Sequence, residues 1–124
     1  MSYPSFLVTT TADENNQNNV TIAFTMAVKA LEKGNDTAIM LLSGGVKLAT
    51  EGYADKINIG EPFKPVKELF STYLEKGGKL LVCGSCMEHN GISKDELIKE
   101  ATVINAGDVI DYITNVHSTL QLNG

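Results

Sequence analysis

Apolar residues follow two alternating rhythms along this chain. Short, mostly apolar or β-branched runs occupy 5–10, 37–42, 79–83 and 101–105. Runs of roughly four to eight such residues fit strands buried on both faces. Between them the period lengthens. Val20, Ala23, Phe24, Ala27, Ala30 and Leu31 fall at i, i+3, i+4, i+7, i+10 and i+11, the stripe of an amphipathic helix that Gly34 stops. Val66, Leu69, Phe70, Tyr73 and Leu74 give a second helix its apolar face, with Pro65 in its first turn and Gly77-Gly78 at its end.

The remaining segments are punctuated by turn chemistry. The polar run at 13–19 reads as a solvated loop ending in an Asn cap, or as a loop that touches a ligand. A short helical piece is expected at 46–50, and a long loop at 51–61 whose Tyr53 and Ile57 either serve an interface or fold onto the core. Ser93 with Glu96 forms a capping box. Asp108 is expected to cap a last helix through Val109, Ile113, Val116 and Leu120, with residues 120–122 as a short fifth strand. Strand–helix alternation with buried strands predicts one α/β domain over 1–124. It is a three-layer sandwich: a mostly parallel sheet of four or five strands, with helices on both faces. Sites in such sheets lie beyond the carboxyl ends of the strands. That places candidate positions at residues 9–13, Thr10 among them, at residues 43–45, with Ser43 and Gly44, and at residues 83–86.

Composition narrows the functional classes. The 124 residues carry ten basic side chains, all Lys, against fifteen acidic ones, a net charge of −5. An acidic chain without Arg is ill suited to nucleic-acid backbones and to bidentate anion clamps. No run of about 18 apolar residues is present to span a membrane, and residues 1–4 lack the features of a signal peptide, so the expected compartment is the cytoplasm.

The chemistry concentrates in Cys83-Gly84-Ser85-Cys86, where the third strand turns into a short helix. The thiolate is the nucleophilic form of Cys, and the free N–H groups of a helix start favour it. With no Arg to help, a modest lowering of the Cys83 pKa is expected. Gly84 would let a partner thiol approach the backbone, and Ser85 would cap the helix or hydrogen-bond a sulfur anion. In the plainest alternative the thiols are small buried hydrophobes. The two-residue spacing also fits a dithiol redox pair, although the nearest prolines, Pro62 and Pro65, are far along the chain. A zinc site would need Cys83, Cys86 and His89 with the distant His117, a poor match to two close ligand pairs. No metal or organic cofactor is expected.

Residues 82–92, Val-Cys-Gly-Ser-Cys-Met-Glu-His-Asn-Gly-Ile, resemble the cysteine segment of the DsrE/DsrF-like proteins, which include YchN-like and TusD-like sulfur-relay subunits. Cys83 is followed eight residues later by Gly91 and then by Ile92, the family's pattern. The resemblance extends over nearly the whole chain through its strand–helix order. Met87, Glu88, His89 and Asn90 stand where relay subunits often carry Ala-rich sequence and paired Arg, and Cys86 is a second thiol.

The resemblance implies a three-layer sandwich assembled as a homotrimer or hexamer. It also implies sulfur transfer as a persulfide on Cys83 between donor and acceptor proteins, a sulfurtransferase-type carrier. Thr10, Ser43, Gly44, Gly84 and Ser85 would line the site. Cys86, if close enough, would attack the persulfide, release sulfide and leave a disulfide. Two other readings are a non-catalytic assembly or regulatory subunit of the same fold and a Cys83/Cys86 dithiol oxidoreductase.

Overall fold

The computed structural model describes residues 2–124. Five strands, β1 (Phe6–Thr10), β2 (Thr37–Leu41), β3 (Lys79–Cys83), β4 (Ala101–Ile104) and β5 (Ser118–Leu122), form one parallel sheet in the order β4-β3-β2-β1-β5. Four α-helices join them: α1 (Gln17–Glu32), α2 (Val66–Glu75), α3 (Gly84–His89) and α4 (Ala106–Asn115).

Alternation along each strand feeds two separate cores. Val8, Ile39, Leu41, Leu80 and Val82 face a large cluster with Phe24 of α1 and with Phe70 and Tyr73 of α2. Leu7, Ala38, Met40, Leu81 and Ile104 face the other side, where Val109, Tyr112 and Val116 cover them. The first core is the tighter aromatic one: Phe24 lies 4.6 Å from Phe70 and meets Tyr73 edge-on at 6.2 Å, centroid to centroid. Tyr73 is fully buried and donates its hydroxyl to the Lys79 carbonyl. Its ring leaves no room for a side chain at residue 78: a Cβ on Gly78 would stand 2.3 Å from Tyr73 Cε1.

The polar run at 13–19 has structural duties. Asp13 accepts from the Asn15 N–H, Asn16 caps α1 by accepting from the Asn19 N–H at 3.1 Å, and the Asn16 and Asn19 amides both donate to the Asn123 carbonyl. The run therefore ties the end of the chain to the start of α1, three residues upstream of the apolar stripe. The long loop folds inward: Ile57 is fully buried, and the Tyr53 hydroxyl accepts the Glu14 N–H at 3.2 Å.

The C-terminal elements differ from the sequence expectation. Asn105, not Asp108, caps α4, and Asp108 answers from the third helical position to complete a capping box. The helix stops at Asn115, so Leu120 belongs to β5. Cap placement turns Val109, Tyr112 and Val116 to the sheet and leaves Ile113 outside, 37% exposed. The reason is tertiary: residues 118–122 pair with β1 in register from Phe6↔Ser118 to Thr10↔Leu122, and helix cannot continue through a ladder.

Connections leave the sheet on both of its faces. Met87 of α3 and Leu97 and Ile98, on the path from β3 to β4, pack with the α1/α2 core. The β4–β5 path runs through α4 on the opposite face. The chain thus leaves the adjacent carboxyl ends of β3 and β4 toward opposite faces, while the strand order itself reverses between β1 and β5.

Candidate functional site

Cys83 ends β3 where these two paths part, paired in register with Ile104 of β4. It also serves as the N-cap of α3, with no side chain capping the helix. Cys83 is buried at 7% exposure, Cys86 is partly exposed, and both thiols are free. The helix they open is six residues long, so it supplies fewer aligned peptide dipoles than a full helix.

Cys86 stands one turn further along, on the same side of α3 as Cys83. Burial, foremost, pushes its thiol up from the ordinary cysteine value. The neighbouring Cys83 thiol pushes the same way, as hydrogen-bond partner and as charge, while a backbone hydrogen bond from Ser43 offsets part of the effect. Ser43 follows β2 with φ of 53°, the only non-glycine residue among those described to take the left-handed region. Asn90, at the C-cap of α3, holds the two segments together. Its amide donates to the Cys86 carbonyl at 2.8 Å and to the Ser43 carbonyl at 3.4 Å. Sequence patterning gave Asn90 no role in the site; its i+4 spacing from Cys86 was the available signal.

The other expected lining residues separate into distinct roles. Gly84 is not an open approach: a Cβ there would stand 3.2 Å from Val103 Cγ1 and 3.4 Å from the Ile104 carbonyl, so the glycine lets β4 close against the turn. Ser85 is exposed and does not cap α3. Thr10 is buried at the carboxyl end of β1, and its hydroxyl is spent on structure. It donates to the Leu122 carbonyl at 2.7 Å and accepts the Ala12 N–H at 3.0 Å. Gly44 approaches Asp13, where a Cβ would stand 2.9 Å from Oδ2, and Asp13 pairs with Lys47 at 3.2 Å. Burial acts most strongly on Asp13 and pushes its carboxyl up, but the Asn15 N–H and Lys47 together hold it below the usual carboxylate value.

His117 lies at the opposite, amino-terminal end of the sheet, its N–H bonded to the Ser5 carbonyl, so it does not join the cysteines in a ligand set. A surface groove of about 700 Å³, lined in part by Leu48, Phe70, Leu74 and Leu97, includes neither cysteine. The chemistry of the carboxyl edge is therefore that of two adjacent thiols with restricted access, held by backbone and amide groups rather than by charged side chains.

A family model described as the DsrE/DsrF-like family matches residues 5–122. Protein MK0008 of Methanopyrus kandleri is 24% identical over 91 residues, covering 73% of this chain and 71% of that protein. The crystal structure of the Escherichia coli YchN protein superposes with a TM-score of 0.76 at 15% identity, covering 98% of this chain and 99% of that one. MTH1491 of Methanobacterium thermoautotrophicum superposes with a TM-score of 0.67 at 14% identity, covering 97% and 99%. At these identities the structures establish the fold.

Proposed function

Because the chain belongs to the DsrE/DsrF-like family, whose members are generally tied to sulfur relay, we propose that it carries sulfane sulfur as a persulfide on Cys83. The single observation that supports this most is position. A free thiol ends the inner strand β3 at the carboxyl edge of the sheet, the edge at which open α/β sheets place their ligands.

The reaction needs only thiol exchange. The Cys83 thiolate attacks the terminal sulfur of a donor persulfide. The donor's S–S bond breaks, its thiolate leaves, and Cys83–S–SH forms. An acceptor thiolate then attacks the outer sulfur, and Cys83 departs as thiolate. Rates follow thiolate fraction, leaving-group pKa and access. With Cys83 at 7% exposure, access is the quantity this site restricts. The added sulfur reaches about 2 Å beyond Sγ, one S–S bond closer to a partner.

Donor and acceptor are thiol proteins in this reading, and the carrier works in the cytoplasm as a homotrimer or hexamer. Ile110 and Ile113, 59% and 37% exposed on the outer side of α4, support such assembly. No helix among the described residues is long and apolar enough to cross a membrane. The low exposure of Cys83 favours one competitor, an assembly subunit whose thiols do no chemistry.

Intact mass after incubation with inorganic polysulfide separates the two. The Cys86→Ser protein gains one sulfur atom and Cys83→Ser gains none at residue 86. Failure of Cys86→Ser to load with any persulfide donor moves the assignment to the assembly subunit.

A further inference from the structure

A persulfide has two electrophilic sulfurs with different outcomes. Attack on the outer atom passes sulfur on; attack on the inner atom expels hydrosulfide. The inner atom here is Cys83 Sγ, buried where β3 meets α3 and closed in by the β4 approach at Gly84. Thiols from outside are confined to the outer sulfur. One thiol is not. Cys86 occupies the first turn of the helix that Cys83 caps, beside the same sulfur.

We propose that Cys86 is an internal resolving thiol that discharges the Cys83 persulfide as hydrosulfide and closes a Cys83–Cys86 disulfide. The inference rests on the carrier reading above and adds a second fate for the sulfur. Residues three apart across the first turn of a helix have Cα atoms roughly 5–6 Å apart. That lies within the span of about 4.4–6.8 Å that a disulfide bridges.

The step balances. Cys86 thiol gives its proton to solvent, and its thiolate forms a bond to Cys83 Sγ. The bond from Sγ to the outer sulfur breaks, and its electron pair leaves on hydrosulfide. Two cysteine sulfurs are oxidised to a disulfide and the sulfane sulfur is reduced to sulfide. A dithiol reductant from outside restores the pair.

Two further contacts serve this role. Asn90 binds the carbonyls of both Cys86 and Ser43, and Ser43 keeps a left-handed turn that only the surrounding structure can hold. Asn90 is thus a positioning residue that keeps the helix, and Cys86 with it, against the turn. Burial and the neighbouring thiol push Cys86 up and keep most of it protonated, which slows discharge and leaves time for transfer.

The test uses the full chain loaded with inorganic polysulfide, freed of excess donor, and held without reductant. Intact mass and free sulfide are followed together. Wild type loses the added sulfur and two hydrogens while releasing an equivalent of sulfide. Cys86→Ser and Cys86→Ala keep the sulfur at least about ten-fold longer, and an added thiol takes it from them as persulfide rather than sulfide. Asn90→Ala loads normally and discharges more slowly. Loaded wild type as long-lived as loaded Cys86→Ser overturns the resolving role and leaves the carrier intact. Discharge of Asn90→Ala at the wild-type rate overturns the positioning role. No loading of either Cys86 variant removes the carrier, and this inference with it.

Discussion

Burial and a neighbouring thiol act in one direction on Cys86, and they can be pulled apart by substitution. Cys83→Ala removes the thiol's contributions and leaves burial in place. A thiol whose pKa is raised has less thiolate at any pH below it, so its alkylation curve lies at higher pH. The midpoint for iodoacetamide modification of Cys86 therefore moves down in Cys83→Ala, without reaching the ordinary cysteine value. A mass-resolved pH–rate series measures it, and an unmoved midpoint shows that the two sulfurs do not sense each other. Single residues also explain what the sequence could not express. The two glycines at 78 and 84 look alike in sequence as turn residues. Tertiary contacts assign one to the Tyr73 ring and the other to β4. Thr10 sits at a strand end where site residues gather, yet its hydroxyl is used to join β1 to β5.

Helix starts depend on side chains only three residues away, and α4 is a case where two neighbouring caps competed. Both Asn105 and Asp108 suit an N-cap, and the choice between them follows from where β4 ends. Replacing Asn105 by Ala removes the acceptor for the Asp108 N–H and half of the capping box. We expect a loss of about 1 kcal/mol, read from the urea midpoint at unchanged slope. No loss there assigns the start of α4 to its packing on the sheet alone. The first four strands, α1, α2 and the Ser93 capping box were legible because each carries a local signal: an unbroken apolar run, a 3.6 period or a reciprocal cap. The end of α4 was not legible. Its apolar spacing continues into β5, and a period alone does not record that a distant β1 offers those residues a ladder.

At the scale of the molecule, the sheet has two unequal covers. α1 and α2 shield one face with an aromatic core, and α4 alone crosses the other. Its exposed Ile110 and Ile113 are the surface for the proposed assembly. Changing both to Lys is expected to give a folded monomer, with sedimentation velocity reporting mass and far-ultraviolet circular dichroism reporting the fold. An unchanged sedimentation coefficient places any interface elsewhere. The same unequal connection pattern sends the chain to opposite faces after β3 and after β4, and Cys83 ends its strand where those paths part. By itself the sequence determined the alternating α/β class, most element positions and the pair of thiols at a strand end, because each is written in neighbouring residues. Only the tertiary structure decided that the strands order as β4-β3-β2-β1-β5, that Cys83 is the more enclosed thiol, and that Asn90 and Ser43 hold Cys86 beside it. These are contacts between segments separated in sequence, and burial and hydrogen bonding across such gaps exist only once the chain has closed on itself.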